Sequence, residues 1–469
     1  MQEKFDLVCI GGGPAGQKAA IQAAKCGKRA ALIDVRERLG GASVHSGTVP
    51  SKMLQETSRF LRRVRAEGNR GLSVELPQKI SILELLARNR QILHTEEDLA
   101  EEQAARNLVH VFRGKGKVLG PHLVEVTGPY NEKIQLQTEY IVLATGSRPH
   151  RPDSIPFEDQ VIYDSDGVLT LRKLPGKLAV LGGGIIGCEY ASIFANLGVE
   201  VHLIDPSDSI LNWADREIAL TLGDALQKLG LQIHTKDDIV EYRRTEDGVK
   251  IRTKQEKEIL VDQVLISKGR QGNAEDLGLE NVGLSASSRG TLKVNDEYQT
   301  DVPSIFAAGD IIGHPALSST SMHQGMYIAR YLFLGERPRF SRSQMPVAIW
   351  TVPEVAFIGS TEEELKAQGV DYGVGRSDFK ENTRALMTGE TRGLLKLLFE
   401  RKSHKLLAVH MVSDRATELL SLGQTVVHLG GTVDYFFHHI FNYPTLSGVY
   451  KSAALDAINA HDMTPAAVK

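Results

Sequence analysis

The sequence predicts an α/β fold: two Rossmann-like dinucleotide-binding domains, followed by an α+β domain of different character. Three observations carry the prediction. The chain has 469 residues, too many for one core and enough for about three domains of ~150 residues each. Two stretches of equal length, "DLVCIGGGPAGQKAAIQAAKCGKRAALID" at 6–34 and "KLAVLGGGIIGCEYASIFANLGVEVHLID" at 177–205, repeat one pattern. From about Met345 the pattern changes to alternating strands, "GLLKLLFE" and "KLLAVHMV", and a helix from about Arg415 to Leu429, which reads as a separate α+β domain.

Each repeat opens with a short apolar strand and passes through Gly-x-Gly-x-x-Gly, at Gly11, Gly13 and Gly16 and again at Gly182, Gly184 and Gly187. An Ala-rich helix follows, then a second strand closed by Asp34 or Asp205. This is a βαβ unit, twice. The first two glycines let the backbone turn tightly and approach a pyrophosphate, the third lets helix pack on strand, and the helix N-terminus offers free N–H groups to the phosphates. The closing acid accepts hydrogen bonds from ribose hydroxyls. One fingerprint alone is weak; two copies with the right flanking strands and acid spacing predict two dinucleotide sites. Two dinucleotides in one chain imply that one passes electrons to the other, the tightly held one being a flavin.

The remaining elements fit around these units. "GGASVHSGTVPSKML" at 40–54 has no periodicity and reads as a glycine-opened loop before the helix begun by "SKMLQETSRFLRRVRAEG". "YIVLATGSRP" (140–149) and "QVLISKGRQGN" (263–273) each end a β-rich stretch in a small-residue turn. "TDVPSIFAAGD" (300–310) is a further strand, ending at Gly309 and Asp310 before a loop and a helix. "RRTEDGVKIRTKQEKE" reads as a solvated hairpin around Asp247 and Gly248.

Composition excludes several function classes. With 55 basic and 58 acidic residues and a net charge of −3, no polyanion-binding surface is implied and nucleic acid is not an expected partner. The longest apolar runs fall far short of the ~20 residues of a membrane helix. A strand starts by residue 5, so no signal peptide fits there. Cys9, Cys26 and Cys188 form no CxxC pair, as suits a reducing cytoplasm. Cys188 is expected to pack as a small apolar residue. The neighbouring His438 and His439 point different ways with no third ligand in range, so no metal site is expected.

The order of motifs resembles the flavoprotein disulfide reductases, the group of lipoamide dehydrogenase and glutathione reductase, across essentially the whole chain: the first fingerprint, "GG…PSK", "ATGS", the second fingerprint, "GR", "AAGD" and a C-terminal "PT" segment. Within that group "HSGTVPSK", "GCEYASIFANLGV", "VNDEYQT" and "FNYPT" look most like the soluble pyridine nucleotide transhydrogenases. The resemblance implies FAD on the first fingerprint, NAD(P)H on the second, and a homodimer formed by a C-terminal α+β dimerisation domain. It divides the chain into residues 1–150 and 273–345 for FAD, 151–272 for NAD(P) and 346–469 for dimerisation. Around the flavin it places Gly41, Ser43, Thr48, Lys52, Gly116, Thr145, Gly146, Asp310, Leu317 and Ser318, and around the second nucleotide Ile185, Glu189 and Gly269. It sets Lys52 near the flavin N5, paired with Glu189, as the catalytic residues; a cation there favours the reduced, anionic ring.

The departures from the group matter as much. Its "GG…PSK" segment carries two cysteines where this chain has Ser43 and Thr48, and a hydroxyl forms neither a stabilised anion near neutral pH nor an S–S bond. The acid/base His and Glu of its C-terminal motif are replaced by Tyr443 and Gly448. Tyrosine, with a pKa near 10, is a poor base at pH 7. The transhydrogenase pattern keeps the first cysteine, lacks the second and also has Tyr before the Pro, so this chain departs further. Dihydrolipoamide dehydrogenase activity is not expected, and the segment is left as a floor under the isoalloxazine ring. Ile185 stands where some relatives have an aromatic gate, which leaves the nicotinamide face accessible.

"HLIDPSDSIL" holds Asp205 and Asp208 and no Arg or Lys, so a 2′-phosphate would meet carboxylate. NAD is therefore the expected nucleotide, NADP a possible one. The expected activity is a hydride relay from NADH or NADPH through FAD to an oxidised nucleotide. The alternatives are an NADH-dependent diaphorase or quinone reductase and an electron-transfer flavoprotein subunit of a larger complex.

Overall fold

The computed structural model describes residues 3–67, 82–158, 160–337 and 344–461. Strand Glu3–Ile10 is buried continuously from Leu7 to Ile10, as a parallel strand covered on both faces must be. It runs parallel to Ala30–Asp34 on one side and to Lys133–Leu143 on the other, with Leu7 opposite Ala30 and Tyr140. Helix Pro14–Lys25 connects the first pair and buries Ala15, Ala19, Ala20 and Ala23. Among the described residues this sheet has seven strands in the order His110–Arg113, Ala30–Asp34, Glu3–Ile10, Lys133–Leu143, Leu123–Thr127, Lys115–Gly120, with Ile305–Ala307 also paired to Lys133–Leu143.

The chain divides into two compact units, the first made of Met1–Met53, Ile82–Pro152 and Gly269–Arg339 and the second of Leu54–Ser81, Asp153–Lys268 and Phe340–Lys469. The seven-stranded sheet is the heart of the first. There the short strand Arg270–Gly272 pairs antiparallel with Ser147–Pro149, and helix Ser318–Leu334 packs against helix Pro14–Lys25.

The second repeat forms the same unit again. In the second compact unit, strands Gln232–His234, Glu200–Ile204, Lys177–Leu181, Gln263–Ile266 and Ile162–Asp164 make a parallel sheet in that order. Ile239–Thr245 and Gly248–Thr253 form the expected hairpin at Asp247–Gly248, extended by Glu258–Val261. From Val347 the architecture turns antiparallel: Val347–Ile349, Glu354–Ile358, Leu406–Ser413, Leu394–Glu400 and Tyr372–Asp378 are neighbours in that order. Helices Ala416–His428 and Gly448–Ala460 cover this sheet through a core that includes Phe399, Phe436 and Tyr450. Rossmann-like sheets followed by an antiparallel C-terminal domain are thus what the chain builds.

The stretch 40–54 departs from its reading as a loop. Gly41–His45 is a short helix and a second helix runs Thr48–Glu67, starting before the "SKM" that was expected to open it; Gly68 lies outside the described residues. Pro50 is tolerated because the first-turn N–H groups of a helix have no intrahelical partner to lose.

Candidate functional site

The two fingerprints fold into the same hydrogen-bonded device. Gly11 has φ +115°, and a Cβ there would lie 2.2 Å from the Ala144 carbonyl oxygen. At Gly16 a Cβ would lie 1.9 Å from the Gly11 carbonyl oxygen, so helix and strand can close together only over glycine. The second copy repeats this, with Gly182 at φ +103° and a Cβ at Gly187 falling 1.8 Å from the Gly182 carbonyl oxygen. The acids are held identically. Asp34 accepts from Gly12 N (2.6 Å) and Arg36 N (2.8 Å); Asp205 accepts from Gly183 N (2.5 Å) and Ser207 N (2.8 Å).

The helix starts identify what these turns are built to meet. Gly13 and Gly184 are the N-caps of Pro14–Lys25 and Ile185–Asn196, and neither supplies a side-chain cap. Some other helices are capped by side chains, Asp215 accepting from two amides of Arg216–Lys228 and Thr361 forming a capping box with Glu364, whereas Ser318–Leu334, Ala416–His428 and Gly448–Ala460 also lack one. Two long helices left uncapped at glycine present unsatisfied N–H groups and the positive end of the helix dipole, an arrangement that fits the pyrophosphate of a dinucleotide. A Cβ at Gly184 would meet nothing within 4 Å, so the space before the second helix is open. The residues present therefore fit dinucleotides at both places.

In the first unit, residues from distant parts of the chain gather beside the first fingerprint. Gly41, at φ +59°, sits against Gly13, and a Cβ on it would lie 2.6 Å from the Gly13 Cα. Gly116 lies on strand Lys115–Gly120 against Ile10. Thr145 Oγ1 donates to the Asn273 carbonyl (2.8 Å), and Asn273 returns two bonds, to the Thr145 and Gly146 carbonyls. Asp310 accepts from Ser147 Oγ (2.7 Å), and Arg270 Nε stands 3.6 Å from the same carboxylate while donating to Ser147 Oγ at 2.7 Å. Gly269, at φ +90°, accepts from His150 N. Arg270 and Ser147 were not singled out from sequence; the "GR" and "ATGS" motifs held them both.

Ser43, Thr48 and Ser318 form a chain of hydroxyls. Thr48 Oγ1 and Ser318 Oγ are 2.8 Å apart, and Ser318 Oγ donates to Ser43 Oγ at 2.9 Å. Ser318 is the first residue of helix Ser318–Leu334 and Leu317 its N-cap. Lys52, half-buried on helix Thr48–Glu67, donates to Ser51 Oγ at 3.2 Å. In the second unit, Ile185 is the first residue of helix Ile185–Asn196, and the buried Glu189 accepts from Trp350 N at 2.8 Å. Trp350 was invisible in the sequence because it acts through its backbone.

Cys188 packs inside as the small apolar residue expected. Cys9 and Cys188 are fully buried, which pushes both thiols up and away from reactivity. His438 ends helix Asp434–His438. Among the described residues no group of three His, Cys, Asp or Glu could hold a metal ion, and no helix is long and apolar enough to cross a membrane. Tyr443 is exposed with its hydroxyl 2.9 Å from Thr383 Oγ1, and Gly448 opens the last described helix.

Residues 5–325 match the family described as pyridine nucleotide-disulphide oxidoreductase, and residues 345–454 match its dimerisation domain. A soluble pyridine nucleotide transhydrogenase of Mycobacterium tuberculosis is 38% identical over 457 residues, 97% of each chain. One of Marinomonas sp. is 39% identical over 460 residues, 97% of this chain and 98% of that one. Among solved structures, LpdA from Mycobacterium tuberculosis superposes with a TM-score of 0.89 at 26% identity over 97% of this chain and 99% of its own. The HOCl-induced flavoprotein disulfide reductase RclA from Escherichia coli gives 0.85 at 27% over 96% and 99%.

Proposed function

The chain belongs to the pyridine nucleotide-disulphide oxidoreductase family, and from that premise we propose that this FAD-dependent NAD(P)H oxidoreductase moves hydride between pyridine nucleotides, as a soluble transhydrogenase does, without a redox-active disulfide. When bound, the flavin supplies a centre that takes hydride from NAD(P)H and gives it to NAD(P)+. Gly11, Gly13, Gly16 and Asp34 hold its pyrophosphate and adenosine ribose; Gly41, Gly116, Thr145, Gly146, Asp310, Leu317 and Ser318 position the remainder. Gly182, Gly184, Ile185, Gly187, Asp205 and Gly269 hold the exchanging nucleotide. Lys52 and Glu189 are the proposed catalytic residues, Lys52 stabilising negative charge at the reacting ring.

The observation that carries this reading is the Ser43–Ser318–Thr48 hydroxyl chain. It binds and positions but stores no electrons, since hydroxyls neither ionise near neutral pH nor form disulfides. Hydride must therefore leave by way of a bound acceptor. NADH is the preferred donor because Asp205 faces the ribose. The protein works as a homodimer in the cytoplasm; Ile440 and Tyr443, 95% and 81% exposed in the C-terminal domain, support a covered face there.

The test is stopped-flow reduction of the purified yellow protein by NADH, then mixing with a thio-analogue of NADP+ or with a quinone. Rapid reoxidation by the analogue supports the relay. Reoxidation by quinone alone replaces it with a diaphorase, a reading that the hydroxyl chain also favours. Colourless protein that cannot be reconstituted with FAD, or brisk lipoamide turnover, would overturn both.

A further inference from the structure

A hydride relay between NADH and NADP+ requires one pocket to accept a 2′-phosphate as well as a bare ribose, and Asp205 opposes the phosphate. Resting on that reading of the function, we infer that Lys236 is the cation that admits the 2′-phosphate at the second nucleotide site.

Lys236 lies 31 residues beyond Asp205 in the sequence, but the parallel sheet brings the two together. Strands Glu200–Ile204 and Gln232–His234 run side by side with Ile204 opposite His234, so the chain leaves both at the same edge. There the two exits are laced by main-chain bonds: Asp205 N donates to the His234 carbonyl (2.9 Å), Lys236 N to the Ser207 carbonyl (2.7 Å) and Asp237 N to the Asp205 carbonyl (3.1 Å). The backbone of Lys236 is thus one hydrogen bond from Ser207, and Ser207 N is one hydrogen bond from the Asp205 carboxylate. Lys236 is exposed there, so its flexible four-carbon stem is free to turn toward the side of Asp205.

The charges nearby leave this lysine for the task. Lys268 is bonded to Asp238 at 2.7 Å, and Lys257 stands 3.4 Å from the His234 ring. No carboxylate lies within ion-pairing distance of the Lys236 ammonium among the described residues. Lys236 has φ +55°, a left-handed turn conformation shared with other residues such as Glu256 and Asp276. Ser207 Oγ accepts from Asn212 Nδ2 at 3.1 Å, leaving its own proton free to donate.

Lysine is suited to a pocket with two clients. Its ammonium is a point charge on a flexible stem, so it can meet a phosphate or swing into water over a bare ribose, where the rigid fork of arginine would bind phosphate more exclusively. One cation against Asp205 and Asp208 does not reverse the preference for NADH; it keeps the phosphorylated nucleotide within range.

The holoenzyme with Lys236→Gln and with Lys236→Arg is titrated by calorimetry with 2′,5′-ADP and with 5′-AMP, and its flavin is reduced by NADPH and by NADH. Lys236→Gln is expected to lower the ratio of 2′,5′-ADP to 5′-AMP affinity about tenfold, equivalent to about 1.4 kcal/mol. The NADPH to NADH ratio of reduction efficiency should fall alike, and Lys236→Arg should restore both. The ratio in the parent should shrink with added KCl more than in Lys236→Gln. Unchanged ratios, or equal losses for both ligands, overturn the assignment. If neither nucleotide reduces the flavin, the proposed function fails while the 2′,5′-ADP titration still decides the role of Lys236.

Discussion

Replacing Lys396 with methionine should cost the protein much of its stability, by an amount the structure sets. Lys396 sits on strand Leu394–Glu400 with its side chain 1% exposed, and its ammonium meets Asp215 at 2.9 Å, Glu217 at 3.1 Å and Glu362 at 2.5 Å. Burial raises the Asp215 carboxyl, but His410 and Lys396 outweigh it and hold the group below the usual carboxylate range. Burial likewise lowers the Lys396 ammonium, and Glu362 and Asp215 more than reverse that. Removing one partner of a buried ion pair costs about 3–5 kcal/mol, because the other charge is left uncompensated. Here the lower end applies: Asp215 keeps amide bonds from Glu217, Ile218 and Glu362, and Glu217 keeps Arg376 at 2.8 Å. A loss of about 3 kcal/mol lowers the Tm by roughly 3–6 °C, at about 1–2 °C per kcal/mol for a unit or chain this large. Calorimetric melting at pH 7 measures it. Adding Asp215→Asn to Lys396→Met should return part of the loss, and the gap to the parent should close in acid. The sign follows from Asp215: its folded pKa lies below its unfolded one, so its contribution is present above the unfolded value and lost as pH falls through the folded one. A Lys396→Met melt within about 1 °C of the parent, or further loss on adding Asp215→Asn, would refute the account.

Two more predictions follow from groups elsewhere. Burial, with Asp414 alongside, pushes the Glu390 carboxyl up to about 7 against the pull of Arg63, so the folded state keeps a proton that the unfolded chain releases. Stability should fall as pH rises from the ordinary carboxylate range through about 7 and then level; Glu390→Gln should flatten that slope in melts from pH 5 to 8, and an unchanged slope would place the proton elsewhere. Replacing Ser43 and Thr48 with cysteines should give little lipoamide or glutathione disulfide turnover, because Tyr443 and Gly448 supply no acid or base. Adding Tyr443→His and Gly448→Glu should raise it by a large factor of the ~10²–10⁴ that acid–base catalysis brings, and brisk turnover in the cysteine pair alone would sink this explanation.

What the sequence made legible was local. Each fingerprint spans 29 residues, and strand, turn, helix and acid are read in one pass because the contacts that define the unit close within that span, as Gly12 with Asp34 and Gly183 with Asp205 do. What it hid was joined across the chain. Ser318 meets Thr48 across 270 residues and Lys396 meets Asp215 across 181; no periodicity encodes either pair. The helix at Gly41–His45 was hidden for another reason: glycine, serine and a β-branched valine have weak helix propensity, so only its surroundings hold it.

The same comparison explains why two copies of one device can serve different occupants. Both fingerprints close over their third glycine and both acids are pinned by two amides, so the scaffold itself does not distinguish a resident dinucleotide from a visiting one. The surroundings do. At the first helix the Gly40–Gly41 turn lies against Gly13, with Gly40 N bonded to the Gly12 carbonyl and the hydroxyl chain tying the next two turns to helix Ser318–Leu334. At the second, a Cβ built on Gly184 would meet nothing within 4 Å. Under the proposed function, a cradle roofed by its own chain suits a resident dinucleotide and a more open one suits an exchanging nucleotide. The roof also explains the two missing cysteines in physical terms: hydroxyls at Ser43 and Thr48 supply the hydrogen bonds that hold it in place.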